Sequence, residues 1–154
     1  MSQCGISNFG ATFSVSTTAE NDDLTESEFS GLTYTQVPGV ITHGDTGVQQ
    51  NINTQPTWDR PVVCKSKGQA NAGDGDITFV DAPSAGMDLL KSYAAHDNTN
   101  NYATKVEWAD GSIEYNRGLF TGPQNNKGGN EDFKQKTFTF GYVQVPIEVE
   151  APSA

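Results

Sequence analysis

Residues 71–108 hold the one long stretch whose apolar spacing is helical, and it lies between two β-rich runs. Met87, Leu90, Tyr93 and Ala94 recur at i, i+3 and i+6/i+7, which puts them on one face of a helix, while Asp88, Lys91 and Ser92 point elsewhere. Asp81, Pro83 and Ser84 stand where a helix start wants a capping oxygen and a fixed φ, so the pattern predicts a helix over about residues 83–95. Asp76 to Val80 before it and Tyr102 to Trp108 after it read as strands. A lone helix of roughly three turns is marginal in water, so it must lie on a sheet. Nothing else reads as helical beyond a single turn starting at Thr25.

The rest of the chain supplies that sheet. Ala11 to Ser16 alternates apolar and polar with period two, predicting a first strand with one buried face. Ala19 to Ser30 has five acids and no base and reads as a solvated connection. Leu32 to Val37 predicts a second strand stopped by Pro38-Gly39, and Val62 to Cys64 is read as resuming the sheet before a turn-rich passage from Lys65 to Asp76. Tyr102, Thr104, Val106 and Trp108 share a face, Asp110-Gly111 signals a hairpin, and Ile113 to Arg117 returns from it. Gly118 is read as a bulge and Thr121 to Asp132 as a mobile connection. Phe138, Phe140 and Tyr142 alternate along a last strand that Pro146 should end or push to an edge. The fold class is mainly β: a β-sandwich or small barrel of about seven strands with one flanking helix. One domain is expected over residues 1–149, with 150–154 a disordered tail.

Residues 40–61 fit this scheme least. They are rich in Thr, Gln, Asn and Gly, and a structureless segment of that length is unusual in a compact domain. They are therefore expected to form either an extended hairpin reaching away from the core or a binding loop that orders against a neighbour. His43, Asp45, Gln49, Asn51, Trp58 and Arg60 are its candidate contact residues. For Trp58 a contact with a ligand or another subunit competes with simple burial. For Trp108, inside an alternating strand, core packing is the expectation.

Chemistry is sparse. His43 and His96 have no metal-protease or similar context and read as structural or solvent-exposed, and no serine lies in a G-x-S-x-G pattern. Gly73-Asp74-Gly75-Asp76 lacks the repeating acids and terminal Glu of a calcium loop and reads as a turn. Cys4 and Cys64 have no metal spacing and are expected reduced. No catalytic, cofactor or metal residue is assigned. The start has no cationic stretch leading into an apolar run, and no apolar run approaches the ~20 residues of a membrane span. The net charge of −10, with no basic cluster, argues against tight binding to phosphates. It suits a surface that a polyanion must pass without sticking.

The succession Ala72-Gly73-Asp74-Gly75-Asp76-Ile77-Thr78-Phe79, the helix through Met87-Asp88-Leu89-Leu90, strand Lys105-Val106-Glu107-Trp108, hairpin Asp110-Gly111-Ser112-Ile113, and Tyr115-Asn116-Arg117-Gly118-Leu119-Phe120 carries a resemblance. It resembles the tail tube (major tail) proteins of long-tailed bacteriophages, in particular the amino-terminal tube domain of the lambda-like type. The resemblance covers roughly residues 70–149, and before that only element order and the long polar segment agree. It implies a structural virion protein, not an enzyme, assembled in the host cytoplasm into hexameric rings that stack as the hollow tail tube for DNA delivery. Its implied partners are copies of itself, tail tip, tail terminator and tape measure proteins, and double-stranded DNA that passes without specific binding. No cofactor is implied, and the acids that face the lumen are not assigned. Type VI secretion tube proteins are a near alternative, and a monomeric acidic β-sandwich binding carbohydrate or cation is the competing class. In the tube reading edge strands make the ring and residues 40–61 join ring to ring. Deleting 43–57 is then expected to leave a folded subunit that does not polymerise.

Overall fold

The computed structural model describes Gly5 and residues 7–151. The elements run β1 (Thr12–Ala19), α1 (Glu26–Ser30), β2 (Tyr34–Gln36), β3 (Val40–His43), β4 (Gln49–Gln55), β5 (Cys64–Asn71), β6 (Asp74–Val80), α2 (Ala85–Tyr93), β7 (Tyr102–Glu107), β8 (Ile113–Asn126), β9 (Gln135–Tyr142) and β10 (Ile147–Val149). The expected mainly β fold with a flanking helix forms, with ten strands among the described residues instead of about seven and a second, short helix. Eight strands make one antiparallel sheet in the order β2-β1-β7-β8-β9-β6-β3, with β10 also on β8. Among the described residues β4 and β5 pair only with each other.

The sheet curls until β1 comes to face β3 and β6. Phe13 of β1 lies 5.7 Å from Phe79 of β6 and 5.8 Å from His43 of β3, ring to ring, although four strand pairings separate β1 from β6. Inside the curl, alternate residues of β6, β8 and β9 (Ile77, Phe79, Phe120, Phe138, Phe140, Tyr142) form the main core. α2 closes it with Met87, Leu90, Tyr93 and Ala94, the stripe read from the sequence. Ser84 caps this helix by accepting from Met87 N at 3.0 Å. Asp81 instead pairs with Lys134 at 3.2 Å and Lys136 at 3.7 Å. The Tyr93 and Tyr102 rings stack 3.6 Å apart, and the Tyr93 hydroxyl donates to Ser16 O.

A smaller core covers the opposite face of β7 and β8. The acidic segment expected to be a solvated connection turns Leu24 and Phe29 inward onto Ala103 and Tyr115. Phe29 stacks on Tyr115 at 5.1 Å, and α1 is capped by Thr25, whose hydroxyl accepts from Glu28 N. Arg117 fastens the segment: its buried guanidinium donates to Glu20 O, Asp23 and Gln144, and Gln144 in turn bridges Leu24 N and O. This covering explains why β1 is buried on both faces from Phe13 to Ser16 instead of on one.

Two further expectations change. β8 runs unbroken through Gly118 as far as Asn126, so Gly118 is no bulge and 121–126 is strand instead of a mobile connection. The register shift lies later, between Thr121 and Gln124, at the cis Gly122-Pro123 bond. Gly118 is small because its neighbour demands it, since a Cβ there would lie 2.1 Å from Gly141 O. The Asp74 to Asp76 run, read as a turn, is the start of β6, with the turn confined to Gly73 at φ +83°. Cys4 and residues 152–154 of the expected tail lie outside the described residues, and Cys64 is a free thiol.

Candidate assembly surfaces

The polar segment resolves into two parts with different roles. Residues 40–43 belong to the main sheet: β3 pairs with β6 through Val40, Thr42 and His43, and Gly44 N donates to Asp76 O at 2.7 Å. From Gln49 to Asn71 the chain forms a separate hairpin, so the return strand runs through Cys64 to Asn71, where sequence reading placed a resumed sheet and turns. The reason is that neither face of β4–β5 is covered. All seven residues of β4 are exposed, and in β5 only Cys64 and Gly68 are partly covered, so no apolar alternation marks the strands.

Between the strands, residues 56–63 form the tip. Trp58 is fully exposed there and Val62 74% exposed, with Val63 also on the surface. Arg60 is exposed and donates to Cys64 Sγ at 3.0 Å. Strands of seven and eight residues carry this tip roughly 20–25 Å from the foot. A lone two-stranded hairpin is marginally stable in water, so one that carries an exposed tryptophan suits ordering against a neighbour.

At the foot, β3 faces β1 across the unclosed seam of the sheet. A groove of about 800 Å³ opens there, with Phe13, Val40, Ile41 and Trp108 as apolar walls and Asp45 and Glu114 as acids. Among the described residues no lysine or arginine lines it. Thr46 donates to Glu114, tying the hairpin foot to β8. Trp108, expected in the core, packs against it while remaining half-buried at this seam, with its indole nitrogen donating to Asn8 Oδ1 at 3.0 Å. The backbone edge of β3 away from β6 pairs with no other described strand, and β2 forms the other end of the sheet with three residues.

The six candidate residues are thus divided. His43 and Asp45 line the groove, with His43 Nδ1 2.7 Å from Gly44 O. Gln49 and Asn51 stand along β4, and Trp58 and Arg60 are at the tip. Sequence reading missed Val62 and Val63 at the tip because two adjacent β-branched residues resemble a sheet strand. It missed Val40, Ile41 and Glu114 because only the curl of the sheet brings them together. The expected deletion of 43–57 would cut into β3 and leave β5 without a partner, so it is the wrong cut; the separable unit is 49–71.

Two tyrosines carry strongly perturbed hydroxyls. Burial, reinforced by the Glu114 carboxylate, pushes Tyr142 well above the ordinary phenol range, and burial with Tyr115 and Glu20 nearby does the same for Tyr34. Burial also raises Tyr93 and Tyr115. The folded state therefore holds these protons more tightly than the unfolded chain. The stability this gives is complete below the ordinary value of about 10 and is lost as pH climbs above it. Phenolate absorbance and circular dichroism followed together in alkali should show most tyrosines ionising with unfolding; full ionisation of a still-folded chain would contradict the burial.

No protein-family model matches this sequence, and no curated protein matches it. Solved structures do share its fold. A chain of the anti-feeding prophage (AFP) baseplate, from a 6-fold symmetrised cryo-EM structure, matches with TM-score 0.69 at 9% identity, over 98% of this chain and 99% of that one. A chain of the sheath-tube complex of an extracellular contractile injection system, PVC in its extended state, matches with TM-score 0.62 at 11% identity, over 94% and 91%. At such identities the likeness is one of fold, and it runs through nearly the whole chain in both cases.

Proposed function

We propose that this chain is a structural subunit of a phage-tail-like particle, assembling into six-membered rings that stack as a hollow tube. The observation that carries the reading is the β4–β5 hairpin, which pairs with no other strand among the described residues and ends in a fully exposed tryptophan. The full-length fold likeness to chains of a 6-fold symmetrised baseplate and of a sheath-tube complex supports it. The outer edge of β2, unpaired among the described strands, is suited to joining a neighbouring subunit edge to edge. The role is structural, not catalytic.

In the finer form of this reading the tube is that of a long-tailed phage of lambda-like type, located in the virion tail, and conveys double-stranded DNA. Its other partners are then the tail tip, tail terminator and tape measure proteins. A chain of net charge −10 repels DNA weakly along its path, which favours passage over binding. The test is negative-stain imaging of the purified chain over a range of concentrations, with light scattering for mass. Six-fold rings or hollow tubes are expected; a monomer persisting at the highest concentrations would overturn the reading.

A further inference from the structure

The hairpin and the body that bears it differ in charge. Arg60, Lys65 and Lys67 against the single acid Asp59 give residues 49–71 a net charge of +2, so the remainder of a chain of net −10 carries −12. All four of these side chains are exposed. The groove at the hairpin foot has apolar walls with two carboxylates and, among the described residues, no lysine or arginine, while the hairpin has an apolar tip bearing Arg60 beside Asp59 and a strand bearing Lys65 and Lys67.

We propose that the hairpin tip of one copy seats in the seam groove of a second copy, Trp58 and Val62 against Val40, Ile41 and Trp108, with Arg60 directed to Asp45. The proposal rests on the self-assembly reading and names its contact. The partner must be another copy, because an extended hairpin holds its tip roughly 20–25 Å from the groove at its own foot. Tip and groove are different surfaces, so the contact is heterologous. Repeated from copy to copy it propagates along a stack instead of closing a dimer. The groove is large enough for several side chains, and a buried tryptophan beside an arginine is the usual composition of the residues that dominate such contacts. Attraction between a +2 hairpin and a −12 body also hastens encounter, and it holds off body-to-body approach in any other register.

Assembly of the full-length chain is compared by light scattering and negative-stain imaging with Trp58→Ala, Arg60→Glu, Asp45→Lys and the double variant Arg60→Glu/Asp45→Lys. Each single change should raise the concentration needed for assembly by roughly tenfold or more. Thermal melting of the unassembled Trp58 and Arg60 variants should not move, because the tip packs on no core. The double variant restores opposite charges across the contact and should assemble better than either of its single parents. Singles that assemble like wild type would overturn the proposal. So would impaired singles whose double is no better, which would leave the tube reading intact while placing the tip elsewhere. A wild-type chain that never self-associates would overturn the tube reading itself and this contact with it.

Discussion

Replacing Gly118 by alanine is expected to destabilise the fold by about 3 kcal/mol or more, through one misplaced methyl group. Gly118 lies at the crossing of three strands, opposite Tyr102 of β7 on one side and Tyr142 of β9 on the other. A Cβ added there meets Gly141 O at 2.1 Å, Gly141 C at 2.9 Å and Tyr142 Cα at 3.0 Å. Those atoms are backbone of the facing strand, so no rotamer change relieves the clash. β8 and β9 must separate locally, and the shift passes to Tyr102, whose ring stacks on Tyr93 of α2. For a domain of this size such a loss lowers Tm by about 10 °C, out of a total stability of about 5–15 kcal/mol. Gly141→Ala, one row away and opposite Leu119, is the control. Its Cβ would meet only side chains, Asp74 Oδ1 at 3.3 Å and Leu119 Cδ1 at 3.6 Å, so it should cost less than about 1 kcal/mol. Urea unfolding of both variants decides the matter, and equal stabilities would refute the close approach of β8 to β9.

Removing the hairpin should have the opposite profile, with stability kept and assembly gone. Gln49 and Asn71 face each other at the foot, so Val48 can be joined to Ala72 through an Asn-Gly turn without stretching the chain. The eight-stranded sheet keeps every ladder it has, because β4 and β5 pair only with each other, and neither core cluster takes a residue from them. Tm should stay within about 3 °C of the parent, the shift that 1 kcal/mol brings in a domain of this size. Rings or tubes should be absent from negative-stain images at concentrations where the parent assembles. A shortened chain that still forms tubes would show that the hairpin is dispensable and return the whole contact to the sheet edges. A shortened chain that unfolds would show that the hairpin supports its own subunit.

Much of this fold was legible where burial imposes a period. The stripe Met87, Leu90, Tyr93 and Ala94, and the alternation Phe138, Phe140, Tyr142, are direct imprints of one helix face and one strand face turned to a core. Asp110-Gly111 marked its hairpin, with Gly111 at φ +93°, because a tight turn has local rules that neighbouring residues must obey. The long polar segment was recognisable as anomalous, and an extended hairpin was one of the two forms expected of it. Its strands were not, because residues exposed on both faces are under no pressure to alternate. The acidic segment misled for a related reason: Leu24 and Phe29 are two apolar residues among five acids, too few to form a period, yet enough to cover the back of β7 and β8 once Arg117 holds them there.

The sequence by itself determined the local elements and which of their faces are apolar, since propensity, capping and side-chain period act between residues a few positions apart. Only the tertiary structure decided that β1 and β3 would face each other across an open seam. Only it put Val40 and Ile41 beside Trp108 and Glu114, and left the net-cationic hairpin standing clear of the acidic body. Those relations depend on the accumulated curl of an eight-stranded sheet and on a hairpin projecting away from it. Both join residues distant in the chain, and no short stretch of sequence records them.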